Sequence, residues 1–328
     1  MKHRAEFFMI TAAMGFAVGG VAAKVLREAN LDAFRLTQIR ITSAALILLI
    51  IALLKGKQQL YVKRSEIKDL VLFGLIGIAV VNSFYYFALK YLYVSVALII
   101  EFTAPIWIAL YLRFVKKKNI SLTAWVGIIC AFLGLVLISQ IWSGKSLHPL
   151  GVIVAILDAL ALAYYFLAAD RLGQTRSSLS LITWGMGVAT IFWAIAFPWW
   201  NFPFEFLTQS FSLSGELSGY SAPGWALILW IVVTATVIPY LLTVAAIREL
   251  SASTSSVIGM IEPIFAGVIA WWLLNEAFTN IQLIGCAAVL VGIYLADKAR
   301  RGVSKALVSL MIYLQQIMIL LKILSPRI

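Results

Sequence analysis

Residues 88–139, ALKYLYVSVALIIEFTAPIWIALYLRFVKKKNISLTAWVGIICAFLGLVLIS, decide the fold, because their punctuation returns without a gap at 246–297. Ala88 matches Ala246, Leu92 matches Leu250, Ser95 matches Ser253, Pro105 matches Pro263, Ile106 matches Ile264, Gly127 matches Gly285 and Gly134 matches Gly292. Identity elsewhere in the two stretches is low. Shared Pro and Gly positions constrain backbone, however, so the match points to a duplicated structural unit.

Working outward, the chain of 328 residues is 62% hydrophobic and 12% charged, too apolar for water to solvate its surface. A hydrocarbon core roughly 30 Å thick takes about 20 apolar helical residues. Such stretches fall near 7–26, 33–54, 68–89, 94–115, 121–140, 149–170, 178–199, 223–246, 253–274 and 278–297, and they predict an all-α integral membrane protein of ten spans. Five spans separate the matched segments, and an odd number reverses direction through the membrane. The expectation is a 5+5 inverted repeat, with residues 1–144 as one unit, 145–298 as the second and 299–328 as a tail. Inverted repeats suit secondary transporters, in which two related halves rock about a site at their interface.

Charge agrees with this topology. With a cytoplasmic N-terminus, 20 of the 26 Lys and Arg residues fall inside, among them Lys55, Lys57, Lys63, Arg64 and the run Lys116-Lys117-Lys118. The long outside connection 201–221 has neither Lys nor Arg. The loop Lys116-Lys117-Lys118-Asn119, inside, aligns with Leu274-Asn275-Glu276-Ala277, outside, where the lysines are gone. Positive charge resists translocation, so both termini are expected in the cytoplasm of a multi-pass plasma-membrane protein. The net charge of +12 therefore reflects topology, and no nucleic-acid partner is expected. The first apolar stretch reads as a retained span rather than a cleaved signal peptide. Cys130 and Cys286 both lie in spans and read as small core residues.

Ionised groups inside lipid cost at least about 2.5–3.5 kcal/mol on insertion scales, so those retained need a partner or a wet cavity. Arg40 and Glu101 lie roughly 10 Å and 9 Å below the outer ends of their helices, at matching depth, while Asp158 and Glu262 lie near the midplane. The functional reading puts these four around one cavity, with Arg40 holding an anionic group and the carboxylates taking a proton or an ammonium. The competing reading makes Arg40 and Glu101 a structural ion pair. Asn82 with Tyr85 and Tyr86, and Tyr165 two turns after Asp158, supply hydroxyl, amide and aromatic groups on the same helix faces, while Trp107 and Trp184 are further candidates for the wall. Pro105 and Pro263 fall mid-span and are expected to kink their helices, each beside a carboxylate, with Glu262 pushed out of helical geometry by the following proline. Lys24 reads as a snorkelling side chain. Gly15-Phe16-Ala17-Val18-Gly19 reads as a close helix contact, and Trp199, Trp200 and Trp225 as an outer aromatic belt.

Ten helices in two halves, Arg40 in the polar start Thr37-Gln38-Ile39-Arg40, the exit Ala88-Leu89-Lys90-Tyr91 and the Pro105 and Pro263 spans together resemble the drug/metabolite transporter superfamily. The nearest branch is the EamA-type transporters, and the resemblance covers about residues 5–300. It implies a ten-helix carrier, often an exporter of amino acids or other metabolites, with no nucleotide-hydrolysing domain. Many relatives carry an apolar or hydroxyl residue where this chain has Glu101.

Other classes fit less well. An enzyme would need a nucleophile and base or a metal set, yet the only histidines are His3 and His148, and no His-Glu-x-x-His, Gly-x-Ser-x-Gly or Walker-type pattern occurs. No cofactor and no metal are expected. A channel-like facilitative permease is the main alternative, although isolated carboxylates in non-equivalent places suit a carrier better than a filter. The expected partners are a small-molecule substrate, the lipid bilayer and protons. Residues 303–324 carry an apolar stripe, Val303, Leu307, Leu310, Leu314, Ile317, Leu321 and Leu324. It reads as an amphipathic helix on the cytoplasmic surface, with an eleventh span or a homodimer contact as alternatives.

Overall fold

The computed structural model describes residues 3–28, 31–140, 148–213, 217–274 and 278–301. The tail at 303–324 and the side chain of Lys24 lie outside the described residues. The helices are α1 Arg4–Glu28, α2 Ala33–Lys55, α3 Arg64–Ala88, α4 Val94–Val115, α5 Leu122–Ser139, α6 Pro149–Gly173, α7 Ser178–Ala196, α8 Gly224–Leu250, α9 Ala252–Trp272 and α10 Asn280–Arg301. Among the described residues, the nine from α2 to α10 are long and apolar enough to cross a membrane. Helix α1 is 25 residues long, the same as α6.

Polar residues at the helix starts fix where the spans begin. Asp32 accepts from the backbone N–H groups of Phe34 and Arg35, Ser121 from Ala124 and Ser177 from Ser180, each satisfying donors that a helix start leaves open. Before α10, Thr279 and Gln282 bond reciprocally, side chain to backbone, as a capping box.

Two irregularities were not expected from hydropathy. Helix α3 passes through a π-helical segment at Leu75–Val80, and α8 through another at Val233–Val237. In α8 this segment lies just before Pro239, whose missing N–H and bulky ring a wider turn accommodates. The second irregularity is a break. The first half of α4 ends at Glu101 and the helix restarts at Ala104, while the first half of α9, Ala252–Gly259, gives way to a second half beginning at Glu262. The expected proline kinks are thereby corrected in position. The breaks fall on 102–103 and 260–261, and Pro105 and Pro263 each sit second in a new helix, where an absent N–H costs little. Glu262 is accordingly a helical residue and not one displaced by Pro263.

These irregularities recur at the interval found in the sequence. Two π segments begin at 75 and 233, the broken helices at 94 and 252, and the breaks at 102 and 260, while a third π segment, Tyr111–Val115 at the end of α4, has no counterpart in α9. Helices α5 and α10 cross antiparallel, with Gly127 against Gly292 and Gly134 against Gly285. A Cβ on Gly134 would stand 2.6 Å from the Gly285 carbonyl oxygen, so only glycine permits this approach. Between the two glycine contacts the Cys130 thiol donates to the Ala288 carbonyl at 3.4 Å. Gly134→Leu is expected to destabilise the protein by about 1–3 kcal/mol, since its side chain meets the α10 backbone at Gly285 and Val289. Thermal unfolding in detergent checks this against Gly187→Leu, whose site is open and whose midpoint should not move.

The Gly15–Gly19 contact is also present: Gly15 lies against the Thr234 carbonyl and Pro239, and Gly19 against Ala235, so α1 packs on the π segment of α8. On the N-terminal face of the bundle, Arg176 ties the start of α7 to the connection after α2. It donates to the Tyr61 carbonyl at 2.6 Å, the Glu66 carboxylate at 3.3 Å and the Ser180 hydroxyl at 2.7 Å. On the far face, Arg35 reaches the Pro198 carbonyl and Gln38 the Phe197 carbonyl, ahead of a small hairpin that pairs β1 Ser210–Ser212 with β2 Ser221–Pro223. Trp200 and Trp225 are strongly exposed there, while Trp199 packs partly against the core.

Candidate functional site: a polar cavity inside the bundle

The bundle encloses a cavity of about 290 Å³ lined from α1, α2, α3, α4, α6, α8 and α9. That is the lower end of the size range of small-molecule sites. Small residues make the room. Gly19, Ala23, Gly77, Ala104, Ala235 and Gly259 bring backbone to the wall, and a Cβ on Gly77 would stand 3.3 Å from Tyr165.

Arg40, Glu101 and Glu262 line this space together. Each is half-buried. Arg40 donates through Nη2 to Asn82 Oδ1. Asn82 is held in turn by its own donations to the Ile78 carbonyl at 2.8 Å and to Tyr240 Oη at 3.4 Å. Arg40 Nε is buried and has no hydrogen-bond partner among the described residues. An Arg40–Glu101 ion pair, the competing reading, is not formed. The ion pairs described within 4.0 Å are Arg171–Asp69 and Arg176–Glu66, both at the N-terminal face.

Glu101 and Glu262 stand on opposite sides of the helix breaks, the first as the last residue before one and the second as the first residue after the other. Their repeat-matched partners, Gly259 and Ala104, also line the cavity. Each half of the chain therefore supplies one carboxylate and one small residue to the same spot.

Aromatic rings complete the wall. Phe16 packs edge-on to Tyr240 at 5.4 Å, Tyr240 edge-on to Tyr165 at 6.0 Å, and Tyr85 edge-on to Tyr86 at 5.3 Å. The Tyr165 hydroxyl is buried with no hydrogen-bond partner among the described residues. The site thus offers one cation, two carboxylates, several hydroxyls and a large aromatic area.

Of the residues expected at the site, Arg40, Asn82, Tyr85, Glu101, Pro105, Tyr165 and Glu262 line the cavity, and Pro263, Asp158, Trp107 and Trp184 do not. Asp158 is on the same stripe of α6 as Leu162 and Tyr165, but it is buried a turn beyond the cavity wall, with Oδ1 unpartnered among the described residues. Trp107 spends its indole N–H on Thr103 Oγ1 at 3.0 Å, one turn back in α4. Trp184 is partly buried within α7, which contributes no residue to the wall. Tyr240, Thr243 and Ser256 were not anticipated. The same interval would have found two of them, since Tyr240 matches Asn82 and Thr243 matches Tyr85.

Apolar helices of spanning length around a charged, solute-sized cavity define a membrane protein that handles a small molecule within the bilayer. The EamA-like transporter family model matches residues 3–140 and again 149–296. The chain belongs to this family, within the drug/metabolite transporter superfamily, and is a multi-pass membrane transporter. Among curated relatives, the uncharacterized transporter YetK of Bacillus subtilis is 22% identical over 299 residues, covering 89% of this chain and 87% of its own. YdfC of the same organism, also described as an uncharacterized transporter, is 23% identical over 229 residues, 70% and 71% of the two chains. The threonine/homoserine exporter RhtA of Escherichia coli is 26% identical over 268 residues, 77% and 78%. A solved crystal structure superposes with a TM-score of 0.72 at 16% identity, covering 90% of this chain and 97% of the other.

Proposed function

We propose that the protein is a secondary active exporter of a small polar metabolite of the amino-acid class, working by alternating access in the cell membrane and coupled to protons. The observation that carries the reading is the position of the cavity. Asn82 and Tyr240, which meet in its wall, are repeat-matched residues 158 apart, as are Cys130 and Ala288 at the crossing of α5 and α10. Contacts between matched residues fall on the axis relating two halves, so the cavity lies where a rocking motion of inverted repeats opens alternately to each side.

The reading takes the chain as ten spans in a 5+5 inverted repeat, residues 1–144 and 145–298, followed by the tail 299–328. The antiparallel pairing of α5 with α10 supports it, as do the helix breaks and two of the three π segments, which recur at one interval. Lys and Arg concentrate on the N-terminal face, which supports placing both termini in the cytoplasm. For substrate, Arg40 suits a carboxylate, Glu101 or Glu262 suits an ammonium, and the aromatic wall suits an apolar side chain. Such an arrangement takes a zwitterion, and the exporter RhtA among the relatives points the same way.

The test is flux into proteoliposomes carrying the purified protein, with labelled amino acids offered one at a time, with and without an acid-loaded lumen. The expected result is saturable uptake that is stimulated by the proton gradient and by unlabelled substrate on the opposite side. Saturable uptake indifferent to the gradient would leave a facilitative permease, and linear uptake would make the protein a channel.

A further inference from the structure

Lys90 and Arg248 stand at matched positions 158 apart, at the ends of α3 and of α8, on opposite faces of the bundle. Their surroundings differ. Arg248 Nε donates to the Gly173 carbonyl at the end of α6, at 2.7 Å. Its stem lies directly on Gly173, where a Cβ would meet Arg248 Cγ at 2.5 Å. Close by, Asp170 accepts from the backbone N–H of Ala252 at 3.2 Å, joining α6 to the start of α9. Val244 and Ile247 beneath are fully buried. The N-terminal face is shut at this point.

The same elements on the far face are apart. Lys90 Nζ sits 4.8 Å above the Phe34 ring, on α2, and not on the end of α1, which corresponds to α6. A second cavity of about 270 Å³ opens there, with Phe34, Tyr86, Leu89 and Lys90 in its wall. Tyr86 and Leu89 match the buried Val244 and Ile247, and Tyr86 also lines the central cavity, so this space is the antechamber to the site.

We propose that Lys90 and Arg248 are reciprocal latches, only one of which is fastened at a time. In the conformation described, Arg248 holds α8 to the end of α6 and closes the N-terminal face. In the opposite conformation Arg248 releases α6, and Lys90 leaves Phe34 for the last carbonyls of α1, closing the antechamber. The Leu26 carbonyl is already taken by the Leu31 N–H at 3.1 Å; the carbonyls after it lack intrahelical partners and lie at the negative end of the helix dipole, so a cation suits both places. Both cations are exposed, and each can therefore leave without stranding a buried charge. The inference rests on the alternating-access reading above.

Single reporter cysteines test it, in the full chain with Cys130→Ser and Cys286→Ala. Leu89→Cys reports the antechamber and Ile247→Cys the closed face, each labelled with a membrane-impermeant maleimide in vesicles of either orientation. Arg248→Ala should raise labelling of Ile247→Cys about tenfold and lower that of Leu89→Cys, because one charge-assisted hydrogen bond is lost from one conformation alone. Lys90→Ala should do the reverse, while Arg248→Lys and Lys90→Arg keep the original pattern. An unchanged Ile247→Cys rate in Arg248→Ala, or both reporters rising together as a loosened fold requires, would overturn the latch. Labelling needs no substrate, so a failed latch appears with flux intact, whereas a failed carrier reading appears as absent saturable flux in the parent protein.

Discussion

Arg40→Ala is expected to lower substrate flux about a hundredfold with little loss of folded protein. The guanidinium makes one hydrogen bond to Asn82, and Asn82 keeps its own bonds to Ile78 and Tyr240 when Arg40 is removed, so the scaffold has other support. What is lost is the cation facing a bound carboxylate. A hydrogen bond to a charged group is worth up to about 3 kcal/mol, which corresponds to about two decades in affinity. Lysine should rescue only part of the flux, since it presents a point charge in place of the planar fork that Asn82 orients. Initial rates over a range of substrate concentration check this. A variant that transports as well as the parent would remove Arg40 from the substrate site, while one that loses its monodisperse elution would make it structural.

Neutralising the carboxylates should have the second largest effect, of a different kind. Glu101→Gln or Glu262→Gln keeps shape and hydrogen-bonding capacity but cannot cycle a proton. The variant that removes the coupling group should lose gradient-driven uptake altogether, while it retains exchange of labelled for unlabelled substrate across the membrane. The other carboxylate, if it binds the substrate ammonium, should lose exchange and driven uptake together. The two assays run side by side therefore assign a role to each residue. Full gradient-driven uptake in both variants would show that neither couples, and the facilitative reading would replace the active one.

Much of this architecture was legible in the residues. The expected span 33–54 is the helix Ala33–Lys55, and 94–115 is Val94–Val115, because caps such as Asp32 and the change from apolar to charged residues leave little choice of boundary. The repeat was visible from 88 onward through Gly and Pro. Its extension backward to the π segments was not, because Leu75 and Val233 open equivalent backbone with ordinary apolar side chains and Pro239 matches a valine. Similarly, Asn82 and Tyr240 share a position and a contact but no chemistry. Depth alone paired Arg40 with Glu101. The structure pairs Arg40 with Asn82, since depth fixes height in the membrane and says nothing about which helices are neighbours. Asp158, Trp107 and Trp184 lie off the cavity wall; Trp107 satisfies its indole N–H within its own helix, on Thr103, so a polar atom within a span does not by itself mark the cavity.

The contact of Asn82 with Tyr240 is also a fixed point. On the alternating-access reading the two halves trade conformations, and the separation of a residue from its own counterpart is then carried onto itself, however far the helix ends swing. Cys130 to Ala288 is a second such separation. Both lengths should read the same in the two end states of the cycle, which makes them internal rulers against which spectroscopic distances elsewhere in the chain can be calibrated.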